Sequence, residues 1–384
     1  MKKIAILTQP LHTNYGGILQ AYALQRILKE LGHDVLTIDR VLPKLSYKVK
    51  VLSVLKRLIM KMLGRYKGPI RIWPTVTEYS TIARKTQHFI DKYISLTERI
   101  ENNKELVHLK KYNFDVYVVG SDQAWRPQYS PNILNYFLDF VENEKRIKRL
   151  SYAVSFGVDE WEFNSEQTKQ AAELIKLFDG VSVRELSGVL LCEKYLNVKA
   201  EFVLDPTLLL NQKDYIELVR ESSSVNDVDN GGKLFAYVLD RSVEKQNLIS
   251  KIAKQFNSTA FEVMPENNFQ EVGSRRVDDC VYPPITDWIK GFMDADYIVT
   301  DSFHGTVFSI IFNKPFITIG NKGRGLSRFQ SLLSLFNLEN RLVIDCNNVP
   351  VSLLEEQIDF NKVNEILNIQ KAKSIQYLIN ALNK

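Results

Sequence analysis

Residues 298–320, "IVTDSFHGTVFSIIFNKPFITIG", decide the fold. A β-branched run reads as a buried strand, "DSFHG" as a tight polar turn, "TVFSIIF" as a buried helix, and "PFITI" as the next strand. A strand, a helix and a strand in so few residues form the crossover unit of a parallel sheet. His304, one of only five histidines in 384 residues, sits in that turn. Core packing does not ask for a histidine there, and a ligand does.

The same alternation runs outward in both directions. "KIAILTQ" (3–9) is a strand, "GGILQAYALQRILKELG" (16–32) a helix, and "DVLTID" (34–39) a strand. A helical region at 77–94 precedes "YNFDVYVVGSD" (112–122), "RLSYAVSFG" (149–157) and "DGVSVRE" (179–185), with "SEQTKQAAELIKLF" helical between the last two. "VKAEFVLDPTLLL" (198–210) closes this series, and a second begins at "KLFAYVLD" (233–240). This pattern reads as two Rossmann-like α/β domains. The first spans 1–210 and the second 211–350, with the join in the linker-like 211–232 and an amphipathic helical segment at 351–384 packing back across it.

Composition narrows the function classes. Hydrophobic content of 45% and charged content of 25% fit a water-soluble globular protein. Cys192, Cys280 and Cys346 are far apart and form no CxxC pair, which argues against a disulfide framework or a thiolate zinc site. The expectation is no metal and no cofactor, in a reducing cytoplasm. The N-terminal apolar run is shorter than the ~7–15 residues of a signal core. No stretch approaches the ~18 apolar residues of a membrane span.

Charge is unevenly spread. Residues 1–100 carry 18 Lys and Arg against 6 Asp and Glu, although the whole chain is only +5. Residues 41–73 hold nine basic residues and no acid. On a helical wheel Leu55, Leu58, Ile59 and Met62 share one face, and Lys50, Lys56, Arg57 and Lys61 lie towards the other. Two readings fit: a peripheral helix with its apolar side on the core, or a basic amphipathic helix on an anionic membrane surface. Nucleic acid is not expected, since aromatic interleaving and recognition modules are missing.

Four strand-to-helix turns carry the chemistry, because ligands of such folds bind outside the carboxyl ends of strands. The first holds His12, Asn14, Tyr15, Gly16 and Gly17; it lacks the GxGxxG spacing of a dinucleotide fold. The second, "VVGSDQAWRP", holds Ser121, Asp122, Trp125 and Arg126. Asp122 is either a cap or a base towards a sugar hydroxyl, and Trp125 offers a flat face to a sugar ring. The third, "SVRE", presents Arg184, either as a fork for a carboxylate or phosphate or in a salt bridge with Glu185 or a neighbour. The fourth has Asp301 and Ser302 as caps, with His304 and Gly305 at the positive end of a helix. After it, "GNKGRGLSRF" brings Lys322, Arg324 and Arg328 onto a glycine-rich loop that suits a phosphate.

"NYGGILQAYALQ", "VVGSDQAWRP", "SVRE", "VLDPTLLL" and "TDSFHGTVFSIIFNKPF", in this order, resemble the polysaccharide pyruvyl transferases. The resemblance spans roughly residues 1–341. It implies a GT-B-like pair of Rossmann-like domains with a cleft between them, phosphoenolpyruvate as donor, and a sugar diol, in bacteria often lipid-linked, as acceptor. The donor would be held by Arg184 and His304, with Ser302 and Gly305 beside them. His304 would be the general acid, and Asp122 the base, with His12 its rival. Better-understood members have Arg-Leu where this chain has Ser302-Phe303, so Lys322, Arg324 and Arg328 are the candidates for the displaced charge. The acceptor would lie against the first two turns, at the inner face of the cell membrane. A nucleotide-sugar glycosyltransferase of the same fold is the alternative, but it calls for a ribose-holding carboxylate that "GTVFSIIFNKPF" lacks. A redox-associated relative would need an iron–sulfur cysteine cluster.

Overall fold

In the computed structural model, residues 1–41, 46–141, 146–222, 233–320 and 325–383 are described. Lys322, Arg324 and residues 223–232 of the expected linker therefore lie outside the described residues. Strands β1 (Lys3–Leu7), β2 (Asp34–Arg40), β3 (Leu96–Ile100), β4 (Val116–Val119) and β5 (Lys148–Ser151) form one parallel sheet, ordered β3-β2-β1-β4-β5. A short parallel pair, β6 (Ser182–Val183) and β7 (Glu201–Phe202), extends it through single bridges from Leu150 to Gly180 and from Val154 to Val183. The second sheet contains β8 (Leu234–Tyr237), β9 (Ala260–Phe261), β10 (Tyr297–Thr300), β11 (Phe316–Ile319) and β12 (Leu342–Val343), in parallel order β12-β11-β10-β8-β9.

The strand sequences explain the layering. "VYVV", "YIVT" and "FITI" have every residue buried. Parallel strands covered by helices on both faces need such unbroken apolar runs. Strand order reverses between β1 and β4 in the first sheet and between β8 and β10 in the second. A cleft opens at each of these switch points. The turns after β1, β4 and β10 are therefore the natural places for a ligand.

The helix Tyr15–Glu30 joins the two units. Asn14 caps it by accepting from Gly17 N at 3.1 Å. Thirteen of its sixteen residues are buried, because it packs under β1 on one side and against the second unit on the other. The Tyr15 hydroxyl donates to Pro283 O at 3.0 Å, and its ring meets Tyr237, Tyr282 and Trp288. One apolar cluster runs from Ile4 through this helix to Phe308. The last helix, Phe360–Asn383, lies on the first unit: Ser374 Oγ accepts from Leu204 N, and the Tyr377 hydroxyl donates to Ser151 O, both at 3.0 Å.

The basic segment forms a helix, Tyr47–Met62, capped by Ser46. None of its residues is buried, so the alternative that its apolar side packs on the core does not hold. Among the described residues, no helix is long and apolar enough to cross a membrane.

Candidate active site

The turns after β1, β4 and β10 meet around a cleft of about 620 Å³. His12, Asn14, Gly17 and Asp122 line it from the first unit; Ser302, His304 and Arg328 line it from the second.

His304 is placed by its helix, Phe303–Ile311. The Ser302 side chain caps that helix by accepting from Gly305 N at 3.3 Å. Asp301 is not a cap, contrary to expectation. Its carboxylate accepts from Leu239 N, Asp240 N and Lys245 Nζ, which ties the end of β8 to the end of β10. Gly305 packs against Thr300, where a Cβ would come 2.1 Å from Oγ1. The imidazole of His304 is 6% exposed and lies against Gly16 of the other unit. A Cβ on Gly16 would stand 2.1 Å from His304 Nδ1, so the histidine's seat requires glycine. Gly16→Ala is expected to displace the ring and lower turnover roughly 10²-fold, with a stability loss of ~1–3 kcal/mol. Steady-state phosphate release and thermal melts check this together.

Nε2 of His304 is 3.7 Å from Asp205 Oδ2, an ion-pair distance too long for a hydrogen bond, and it has no hydrogen-bond partner among the described residues. Asp205 is the organiser that the sequence reading missed. It is fully buried, and Oδ1 accepts from Thr207 N and Oγ1 at 3.0 and 2.6 Å. Oδ2 accepts from Ser121 Oγ at 2.9 Å and from Arg184 Nη1 at 2.6 Å. Burial alone would raise its pKa, but His304, Arg184 and Thr207 hold it well below the usual carboxylate range. The available signal was an aspartate directly before Pro206, following the apolar pair Val203 and Leu204.

Arg184 does not present a free fork, which corrects its expected role. It is 3% exposed, with Nη1 on Asp205 and Nη2 on Asp122 Oδ1 at 3.2 Å. Burial would lower its pKa, but the two aspartates raise it. Glu185, the sequence-adjacent partner, instead accepts from Phe156 N at 2.8 Å, and burial pushes its pKa up against the pull of Arg184.

Asp122 is in the left-handed region (φ 68°), which aspartate tolerates better than most residues. The turn thus aims its carboxylate into the cleft, where Oδ2 faces Asn14 Nδ2 at 3.4 Å. Burial would raise its pKa, but Arg184, His304 and Arg328 outweigh that and hold it below the ordinary value. Half-buried His12 accepts from Thr13 N through Nδ1 at 2.7 Å. That bond keeps the ring proton on Nε2, and burial pushes its pKa down, with only Asp122 pulling it back.

Arg328 belongs to the buried part of the helix Leu326–Leu335 rather than to a loop. Its guanidinium lies 5.8 Å from the Phe303 ring centre, and that of Arg184 lies 4.4 Å from the same ring. Burial, and Arg184 next, push the Arg328 pKa down to about 10, so it remains a cation at neutral pH. Arg126 is held by Glu162 through two 3.0 Å contacts and stacks on Tyr129 at 4.8 Å.

Three acceptor candidates are corrected. Trp125 is completely buried; its Nε1 donates to Tyr136 O, and its ring stacks on Phe137 at 5.0 Å, so it shows no face to a sugar. Tyr15 is 1% exposed and pins the two units together. Ser121 is likewise buried and serves Asp205. Among the described residues, no group of three His, Cys, Asp or Glu side chains could hold a metal.

Two parallel Rossmann-like sheets with their switch points facing across one cleft define a GT-B-like fold. Residues 14–323 match the model of the polysaccharide pyruvyl transferase family, and the chain belongs to that family. The fold also aligns end to end with solved structures. The MnaA–UDP complex of S. aureus has a TM-score of 0.50 at 12% identity, covering 100% of this chain and 98% of that one. UDP-GlcNAc 2-epimerase from Methanocaldococcus jannaschii, in complex with UDP-GlcNAc and UDP, has a TM-score of 0.50 at 12% identity, with coverages of 100% and 99%. Arabidopsis thaliana UGT89C1 complexed with UDP has a TM-score of 0.50 at 12% identity, with 99% of each chain covered. Likeness at this identity is one of fold. No curated protein matches the chain.

Proposed function

We propose that this protein transfers a pyruvyl group from phosphoenolpyruvate to two hydroxyls of a sugar in a surface or capsular polysaccharide precursor, forming a cyclic ketal. The observation that carries the reading is His304. It is a buried histidine at a helix start, seated on Gly16, with Nε2 unbonded beside an aspartate–arginine pair.

The steps follow from charge. Phosphoenolpyruvate is an anion at both ends, so its site needs cations and helix-end N–H groups. Arg328 and the start of the helix Phe303–Ile311 supply them. Arg328 brings positive charge against Phe303, beside the position where better-understood members carry arginine. His304 gives a proton to the methylene carbon, which becomes a methyl group and leaves a cationic centre at the neighbouring carbon. A sugar hydroxyl attacks that centre and Asp122 takes its proton. Phosphate leaves with the enol oxygen and takes the proton held by Asp122; the second hydroxyl then closes the ring, and its proton returns to His304. Asp122 is a weak base, but a hydroxyl adding to a cationic carbon becomes strongly acidic, so a weak base suffices. Arg184 and Asp205 act as positioning residues for Asp122 and His304.

His12 fits a neutral donor better than a base, because its Nδ1 is taken by Thr13 N–H. Its working form is the neutral ring, which is lost as pH falls through a pKa held below the ordinary value of about 6.5. The kcat/KM profile is expected to fall on the acid side below that value, and His12→Gln should remove that limb. A limb that persists unchanged in the variant would assign it to another group. The acceptor is a glycan, lipid-linked in this reading, used at the inner face of the cell membrane. Incubation with phosphoenolpyruvate and isolated lipid-linked glycan precursors tests the reaction. Ketal-linked pyruvate appearing in step with inorganic phosphate supports it; a glycan that gains nothing argues against it.

A further inference from the structure

The helix Tyr47–Met62 faces the wrong way for a helix that serves its own core. Its more sheltered positions are Lys50, Ser53, Val54, Arg57 and Met60, on one side. The opposite side presents Leu52 at 66%, Leu55 at 50%, Ile59 at 56% and Met62 at 88% exposure. An ordinary surface helix does the reverse, turning its apolar stripe inward. An apolar stripe this continuous on a soluble surface marks a contact with something else.

Charge selects the occupant. Lys48, Lys50, Lys56, Arg57 and Lys61 belong to this helix, which has no acidic residue. A second copy docked stripe to stripe would bring Lys48, which falls within the apolar face, against its counterpart and leave the other four cations with no opposite charge. An anionic lipid surface complements the helix: the apolar residues enter the acyl boundary, exposed Lys48 and Lys56 on and beside the apolar face reach the headgroups along their own methylene stems, and the rest of the helix is positive throughout. The position in the fold agrees. The helix lies in the connection that leaves the carboxyl edge of β2, on the side of the sheet where the cleft opens. The chain then returns along Pro69 and Arg71, which pack on Gly273 and Phe269, next to cleft-lining Asn268.

We infer that the helix Tyr47–Met62 is a membrane-docking surface for an anionic leaflet, one that sets the cleft beside a lipid-anchored acceptor. The docking surface stands on its own observations; only the lipid-anchored acceptor rests on the proposed function.

The test is co-sedimentation of the full chain with vesicles of phosphatidylcholine alone and of phosphatidylcholine with phosphatidylglycerol. Binding is expected to the anionic vesicles and to weaken with salt. The K48E/K56E variant should lose about twenty-five-fold or more in partitioning, since each cation near such a surface is worth about fivefold. L55S/I59S should bind weakly even at low salt, and circular dichroism should show both variants folded, as nothing buried is changed. Equal binding by wild type and the charge-reversed variant, or no binding by wild type, would overturn the inference. So would a dimer in sedimentation velocity that L55S/I59S dissociates, with no vesicle binding. The readout involves no turnover, so failure of docking and failure of pyruvyl transfer are separate results.

Discussion

Replacing Arg184 by alanine is expected to destabilise the protein by ~3–5 kcal/mol at neutral pH, because it strands Asp122 and Asp205 as buried, uncompensated charges. The pH dependence is the distinguishing mark. In the native protein both aspartates are held below the ordinary carboxylate range. Their contribution is therefore complete above about pH 4 and fades only as pH falls through their depressed values. Without the guanidinium both carboxyls lose one of the groups that hold them down, so both pKa values rise towards what burial alone would set. The variant's deficit should then be largest at pH 7 and shrink towards pH 5, as the stranded groups take up protons. Urea unfolding of wild type and Arg184→Ala at the two pH values measures this. A deficit under 1 kcal/mol, or one that does not change with pH, would show that the ion pairs do not bear on stability as described. Arg184→Lys should recover only part of the loss, since one ammonium cannot span two carboxylates as a planar fork does.

His304→Gln should leave the fold standing and remove the proton donor. Nε2 has no hydrogen-bond partner among the described residues, glutamine fills much of the same space, and Asp205 keeps its bonds from Ser121, Arg184 and Thr207. Turnover should fall by about 10²–10⁴-fold, the usual worth of a positioned acid. Phosphate release from phosphoenolpyruvate with the glycan acceptor present is the readout, alongside a thermal melt. Wild-type turnover in a folded variant would remove His304 from the chemistry.

Much of the fold was legible because parallel strands covered on both faces leave a plain mark. "VYVV", "YIVT" and "FITI" are buried throughout and almost wholly apolar, and each runs into a polar turn. His304 and Asp122 could be found for the same reason, as polar residues at strand ends. The networks could not be read. Arg184 was weighed against its neighbour Glu185, but it pairs with residues 62 and 21 positions away. Asp205 was passed over because its partner Ser121 lies 84 positions upstream, and His304 reaches it from the other unit. Spacing along a chain carries no record of such meetings.

Trp125 shows a second limit. A turn places its residues at the rim of the sheet, but which of them face the cleft depends on the backbone there. The left-handed Asp122 turns its own carboxylate towards the cleft, while Trp125 is stacked on Phe137 in the core. In the basic helix, periodicity separated the two faces correctly but could not say which one the protein covers.

Calorimetric titration of phosphoenolpyruvate, with UDP-glucose as the control, tests the central claim most directly. Phosphoenolpyruvate should bind wild type, and bind more weakly to His304→Gln, while UDP-glucose gives no heat. Binding of UDP-glucose with no response to phosphoenolpyruvate would contradict the account and put a nucleotide-sugar donor in its place.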